Sequence, residues 1–299
     1  MSDWYDESLH AGPDAPGYRQ GFRIDKVLHR SKSGFQSIEI LESRYFGRIL
    51  ALDGVVQTTE RDEFVYHEMI AHQPMMAHGG VNDVLIIGGG DGGALREVLR
   101  HPVDKAVMVE IDGDVVSLSR EYLPNLSGGA FDDSRAELII GDGFGYVVET
   151  ERSFDVIIVD STDPFGPGEI LFTDEFYRNC RRVLRRGGVM VTQNGVPFFQ
   201  GNEVSTTAKR MAPHFSDVAF YGCVVPTYVG GYMSLAWAGD DANLRKVPLA
   251  DISTRAGSVG IAGRYWSPEI HLCAFVLPPF IRELYASGRN EARATLVPN

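Results

Sequence analysis

The strongest constraint in this chain is a short one. Val84-Leu85-Ile86-Ile87 is an unbroken apolar run that empties into Gly88-Gly89-Gly90-Asp91-Gly92-Gly93. A run without polar alternation is what a strand needs when both of its faces are covered. Glycines let the backbone approach a ligand closely at the start of the following helix. The arrangement repeats. Ala106-Val107-Met108-Val109 leads into Glu110-Ile111-Asp112, Leu138-Ile139-Ile140 into Gly141-Asp142-Gly143, and Val156-Ile157-Ile158-Val159 into Asp160, while Val189-Met190-Val191 ends near Gln193. Helical stretches fall between them, from about Ala94 to Arg100 and again up to Tyr122. Strands alternating with helices predict an α/β fold with a doubly wound, Rossmann-like parallel sheet. Runs at 217–221 and 232–238 predict two more strands.

The first sixty residues read differently. Phe22 to Leu28 and Phe35 to Leu41 are short runs, the second alternating, with turn chemistry at Arg30-Ser31-Lys32-Ser33-Gly34 between them. Arg48 to Leu52 stops at Asp53-Gly54, a strong hairpin signal, and Val55 to Thr58 returns. This predicts a small antiparallel β domain over residues 1–62, followed by the Rossmann-like domain over 63–299. Thr59 and Asp62, with Glu60 and Glu63, predict a capped helix that carries Phe64, Tyr66, His67, Glu68 and Ile70 and ends before Pro74.

Charge narrows the function. Lys plus Arg is 28 against 40 for Asp plus Glu, a net charge of −12. That argues against a nucleic-acid partner, which requires clustered cations, and is compatible with a cationic substrate; solubility alone is the other reading of the charge. No apolar stretch is long enough for a membrane helix. The polar, acidic start MSDWYDESLH is not a secretory signal. Cys180, Cys223 and Cys273 form no CxxC pair and the histidines are scattered, so we expect a reducing cytoplasm and no metal.

In open α/β sheets ligands lie beyond the carboxyl ends of the strands. Asp91, Glu110, Asp142 and Asp160 all follow strands there, and that repetition is the most informative feature of the chain. Glu110 comes 22 residues after Gly88, the position from which an acid commonly binds ribose hydroxyls. Asp91 occupies the loop that would hold a pyrophosphate in a dinucleotide enzyme. A carboxylate there repels phosphate, repels the carboxylate of S-adenosylmethionine and attracts an ammonium group. The pattern points to an adenosine ligand with a cationic tail and no acid; a simple cap on the helix at Ala94 is the other reading of Asp91.

At this point the chain resembles the spermidine synthases, the polyamine aminopropyltransferases, over nearly its whole length. The resemblance rests on Leu52-Asp53-Gly54-Val55-Val56-Gln57-Thr58-Thr59-Glu60-Arg61-Asp62-Glu63-Phe64, on Tyr66-His67-Glu68-Met69, on the Gly88–Gly93 loop with Leu95-Arg96-Glu97-Val98, and on Val109-Glu110-Ile111-Asp112. It continues through Asp160-Ser161-Thr162-Asp163-Pro164-Phe165-Gly166-Pro167 and Pro226-Thr227-Tyr228. It implies a Rossmann-like sheet of the methyltransferase type. It also implies transfer of an aminopropyl group from decarboxylated S-adenosylmethionine to putrescine, giving spermidine and methylthioadenosine. The donor is a co-substrate and no cofactor is implied. Residue by residue, Gln36, Glu110, Asp142, Gly143 and Pro167 match the nucleoside side and Asp91 the clamp on the aminopropyl ammonium. His67, Asp160 and Asp163 match the diamine side, Tyr66 and Tyr228 the tyrosines at the reacting amine, and Asp160 the proton acceptor. Gln193, Val196, Pro197 and Phe198 follow the last core strand and are candidates for tuning chain length. His271-Leu272-Cys273-Ala274-Phe275 departs slightly from the family's usual tail, which we expect to affect packing. The family is dimeric or tetrameric, and we expect a homodimer here.

Structural readings stand beside several of these residues. Tyr66 and His67 also fit core positions, Tyr228 fits turn packing, and Gln36 fits a solvent-facing strand position. A methyltransferase using intact S-adenosylmethionine shares the fold logic, but Asp91, Asp160 and Asp163 count against it. A polyamine or nucleoside sensor would not need a proton acceptor. The acceptor stays open among putrescine, cadaverine, agmatine and spermidine, because one methylene is worth only ~1–3 kcal/mol in an apolar pocket.

Overall fold

The structure, a computed structural model, describes residues 3–8, 18–164 and 166–296. The N-terminal region forms two antiparallel sheets. Strands β1 (Trp4–Asp6) and β2 (Gly21–Arg23) make a two-stranded ribbon. Strands β3 (Lys26–Lys32), β4 (Ser37–Ser43), β5 (Gly47–Leu52) and β6 (Val55–Thr59) make a four-stranded meander. Asp53 and Gly54 take positive φ values of 48° and 82° and close the hairpin between β5 and β6, as the Asp-Gly pair predicts. Strand β3 runs three residues into the expected turn, to Lys32, and the turn falls at 33–36 instead. Gln36 therefore sits in that turn and not on a strand: Ser33 Oγ accepts the backbone N–H groups of Phe35 and Gln36 and pins the bend.

Helix α1 (Glu63–His78) links this region to the large sheet and corrects two expectations. It runs straight through Pro74, and every residue from Val65 to Ala77 is buried. Losing one intrahelical bond at the proline is outweighed by burial on all sides. Its carboxyl end is finished by Gly79, whose N–H donates to the Met75 carbonyl, and by Arg255, which donates to the carbonyls of Met76 and Ala77. At the other end Asp62 does not cap the helix with its side chain. It accepts from Thr59 Oγ1 at 2.6 Å and from both the N–H and Oγ1 of Thr227 at 2.9 and 2.7 Å.

The large sheet contains β7 (Asp83–Gly88), β8 (Lys105–Glu110), β9 (Ala136–Ile140), β10 (Phe154–Asp160), β11 (Leu184–Gln193), β12 (Asp217–Val224) and β13 (Tyr232–Gly239). Their spatial order is β12-β13-β11-β10-β7-β8-β9. Pairings from β9 across to β11 are parallel, and β13 is antiparallel to both neighbours. This is the doubly wound, Rossmann-like sheet, and its strand order reverses between β7 and β10. Helices α2 (Gly93–Leu99), α3 (Gly113–Tyr122), α4 (Pro124–Ser127), α5 (Gly143–Glu149), α6 (Asp174–Val183) and α7 (Gly201–Met211) supply the crossovers. Helices α8 (Leu249–Val259), α9 (Pro268–Cys273) and α10 (Pro279–Leu296) complete the chain.

The two regions share a core. Ile38, Ile40, Leu50 and Leu52 of the meander pack with Val115, Leu123 and Leu126 around α3 and α4. The other face of the meander buries Leu41, Ile49, Ala51 and Val56 with Tyr5 and Phe22 of the ribbon. Among the described residues no helix is long and apolar enough to cross a membrane, and Cys180, Cys223 and Cys273 are unpaired thiols.

Candidate active site

The glycine loop is shaped by the groups around it. Gly88 pairs with Asp160 in the β7–β10 register, at the point where the strand order reverses. Its φ is 82°, and a Cβ there would run into the Asp160 carbonyl, which accepts the Gly89 N–H at 2.8 Å. A Cβ on Gly90 would sit 3.0 Å from Glu110 Oε2, and one on Gly93 would run into the His67 ring. The run is glycine because three ionisable residues crowd it. Asp91 and Asp142 lie beyond their strands in the following loops, while Glu110 and Asp160 are the last residues of β8 and β10.

Beside this loop is a cleft of about 1340 Å³, open space at its mouth included. Gln36, Tyr66, His67, Asp91, Glu110, Asp142, Gly143, Asp160, Asp163, Pro167, Gln193 and Tyr228 all line it. Val196 lines it too. Pro197 and Phe198 do not appear in its wall, and Phe198 is 78 % exposed. Phe165, within the Asp160–Pro167 motif, lies outside the described residues.

On one side, Glu110 Oε1 accepts the Asp112 N–H at 2.9 Å, and burial pushes its carboxyl up to about 7. Gln36 donates to Asp112 Oδ2 at 3.0 Å, an oxygen that also accepts from Ser33 Oγ at 2.6 Å. The Gln36 side chain lines the cleft directly, and Asp112 behind it holds the amide in place. Asp142 caps α5 by accepting the N–H groups of Phe144 and Gly145, and Gly143 packs where a Cβ would run into Ile87.

The other side is acidic. Asp160 Oδ1 accepts from Tyr66 Oη at 2.7 Å. Burial, then the neighbouring Asp91, push Asp160 up to about 6. Burial and then Asp160 hold the Tyr66 phenol well above its usual value, so it remains a donor. Tyr228 stands with its ring centre 6.0 Å from that of Tyr66 and donates to the Gln57 carbonyl of β6 at 2.8 Å. Asp163 Oδ2 accepts from Gln200 at 3.0 Å. Gln193 is spent on backbone: it donates to the Thr162 carbonyl and accepts the Gly195 N–H, which steadies the loop after Asp160. Asp91 lines the cleft and is held from two sides. One oxygen accepts the Gly93 N–H at 2.7 Å at the start of α2; the other lies 3.4 Å from His67 Nε2.

One acid in the wall has no sequence signal. Glu7 is 5 % exposed and lines the cleft. It accepts the Val56 N–H and a bond from Gln20, which also donates to the Thr227 carbonyl at 2.6 Å. Burial pushes Glu7 up to about 7. It belongs to the N-terminal ribbon region, far in sequence from the acids it joins. Among the described residues no group of three or more His, Cys, Asp or Glu side chains could hold a metal ion.

The spermine/spermidine synthase domain matches residues 63–247, and the spermidine synthase tetramerisation domain matches residues 4–60. The polyamine aminopropyltransferase of Pseudomonas syringae pv. tomato is 51 % identical over 292 residues, covering 97 % of this chain and 100 % of its own. Polyamine aminopropyltransferase 1 of Pseudomonas aeruginosa is 52 % identical, covering 97 % and 99 %. A spermidine synthase crystallised with the transition-state analogue AdoDATO superposes with a TM-score of 0.88 at 38 % identity, over 95 % of this chain and 94 % of that one. The spermidine synthase of Thermotoga maritima gives a TM-score of 0.85 at 36 % identity, with the same coverage.

Proposed function

The chain belongs to the spermine/spermidine synthase family and is an aminopropyltransferase; from that premise we propose that it transfers the aminopropyl group of decarboxylated S-adenosylmethionine to putrescine. The products are spermidine and methylthioadenosine. The observation that carries this reading is the convergence of Asp91 and Asp160 on the glycine loop. Two carboxylates there repel a pyrophosphate and repel the carboxylate of intact S-adenosylmethionine, and they attract ammonium groups.

In the reaction the amine nitrogen attacks the methylene carbon next to sulfur. A C–N bond forms, and the C–S bond breaks with its electron pair going to sulfur, which leaves as a neutral thioether. The proton on nitrogen passes to Asp160. An alkyl ammonium has a pKa near ~10.4, so at pH 7 only roughly one acceptor in a few thousand carries a free lone pair. Asp160 at about 6 is ionised at neutral pH yet basic enough to take that proton in a water-poor site. Tyr66 and Tyr228 are read as aiming the nitrogen, and Asp163 with Glu7 as holding the distal ammonium. Base assistance of this kind is worth ~10²–10⁴ in rate, with alignment of two bound reactants adding more. Gln36, Glu110, Asp142, Gly143 and Pro167 are assigned to the nucleoside. Asp91 is assigned to the donor's ammonium and Gln193 to loop support.

We take residues 1–62 and 63–299 as the two working units. No cofactor enters the scheme. We propose a homo-oligomer assembled through the N-terminal region, a tetramer in keeping with the domain matched there, in a reducing cytoplasm. Light scattering on the purified protein separates a tetramer from the dimer expected from sequence. The activity test is direct. Purified protein with decarboxylated donor and putrescine should release methylthioadenosine and spermidine in equal amounts. Binding without release, or adenosylhomocysteine formed from the intact donor, overturns the reading.

A further inference from the structure

Behind Asp91 lies a chain of alternating charges that the reaction scheme does not use. Arg96 on α2 grips Glu63 with two nitrogens, at 2.8 and 3.2 Å. Glu63 Oε2 lies 2.6 Å from His67 Nδ1, one turn along α1. His67 Nε2 in turn lies 3.4 Å from Asp91 Oδ2. Arg96 is itself fixed by Glu97 Oε1 and the Leu126 carbonyl, at 2.8 and 2.6 Å. We propose that Glu63 and Arg96 are positioning residues: they hold His67 as a permanent imidazolium behind Asp91, so that this carboxylate keeps one orientation and one charge. The proposal rests on the reading of Asp91 as the site for the donor's ammonium.

The argument is first one of geometry. A neutral imidazole has one N–H and one lone pair, so it satisfies a carboxylate on one side only. Here the residue is 2 % exposed, Nδ1 lies at hydrogen-bond distance from Glu63 and Nε2 at ion-pair distance from Asp91. The doubly protonated ring is the form that presents an N–H to each carboxylate. The remaining charged or titratable groups near it agree. Asp160 adds negative charge from β10, and the phenol ring of Tyr66 lies edge-on with its centre 5.5 Å away. Gly93 from α2 leaves the space that the ring fills. Arg96 is the cation of the group, on the far side of Glu63. Burial alone pushes His67 down, but Asp91 and Glu63 outweigh it and hold the ring well above its usual value.

Two consequences follow for the site. A ring already carrying both protons cannot accept one from the amine, which leaves Asp160 as the acceptor. Without the imidazolium, Asp91 would keep its burial and its repulsion from Asp160 but lose the cation that most opposes them, and its carboxyl would hold a proton more readily. Asp91 would then lose the charge that binds an ammonium.

The test substitutes Glu63→Gln and observes His67 by NMR of histidine labelled at Cε1, its signal identified by its loss in His67→Gln. In the unsubstituted protein the His67 signal should stay in the imidazolium position from about pH 6 to about pH 8.5. In Glu63→Gln a titration should enter that window, and the calorimetric Kd for decarboxylated donor should rise by about tenfold at the alkaline end. Glu63→Asp, which keeps the charge, should recover most of the affinity. A singly protonated His67 at pH 7 in the unsubstituted protein overturns the proposal even if the variant fails to fold. So does a folded Glu63→Gln that keeps donor affinity at every pH. Failure of the unsubstituted enzyme to release methylthioadenosine would instead strike the functional reading, and the NMR result would stand apart from it.

Discussion

Replacing Asp160 by Asn should make the protein more stable and nearly inactive. The carboxyl ordinarily ionises at 3.8 and is pushed up to about 6, chiefly by burial and then by Asp91. Its folded-state pKa is raised above the unfolded value, so the unfolded chain releases this proton first as pH rises. Folding is therefore penalised progressively between about pH 4 and pH 6, and the full penalty persists above that. A rise of about two pKa units corresponds to about 3 kcal/mol. Asn keeps the shape and can still accept from Tyr66 Oη, but it carries no charge to bury. The gain should be about 3 kcal/mol at pH 7.5, about half of that at pH 5, and near zero below pH 4. For a chain of this size each kcal/mol is worth roughly 2 °C in Tm. Thermal melts of both proteins without ligand, at these three pH values, measure it. Turnover of decarboxylated donor should fall by at least about a hundredfold in the same variant. A lower Tm at pH 7.5, or a gain that does not shrink with acid, would refute the reasoning about burial. Near-normal turnover would refute the assignment of the base.

Three further outcomes are expected. Asp91→Asn should lose its preference for decarboxylated over intact S-adenosylmethionine, read by competition between the two nucleosides. Asp62→Ala leaves the buried Thr227 N–H without its acceptor, which should cost about 1–3 kcal/mol in urea unfolding and lower turnover by letting the Tyr228 loop shift. In the pH dependence of kcat/KM, an acid limb near pH 6 should appear as Asp160 takes a proton, and it should vanish in Asp160→Asn at that variant's residual rate.

Much of this site was legible because its residues follow a local rule. A buried parallel strand ends, the next few residues face the ligand, and their chemistry can be read in order: Asp91, Glu110, Asp142, Asp160. What escaped depends on partners brought from elsewhere. Nothing near Glu7 marks it as a wall of the cleft, because its role comes from the ribbon folding over β6. Glu63 reads as an acid in a helix's first turn until Arg96 and His67 are seen on either side of it. Gln193 lines the cleft as its position predicts, but its bonds to the Thr162 carbonyl and the Gly195 N–H come from partners that no local pattern announces. The partial alternation from Phe35 to Leu41 places Gln36 on a strand, while the turn that holds it is set by the Ser33 hydroxyl. Pro74 was read as a stop because the local rule forbids it mid-helix, and only tertiary burial overrides that rule.

The bond from Tyr228 to the Gln57 carbonyl joins a phenol of the cleft wall to the backbone of the small N-terminal meander. Gln20 and Glu7 hold the same loop from the ribbon. The position of that phenol is thus only as firm as the docking of a region that has little interior of its own. Loosening the contact between β6 and the Pro226–Gly231 loop would move a wall of the cleft itself, because Val55, Val56, Gln57 and Tyr228 all line it.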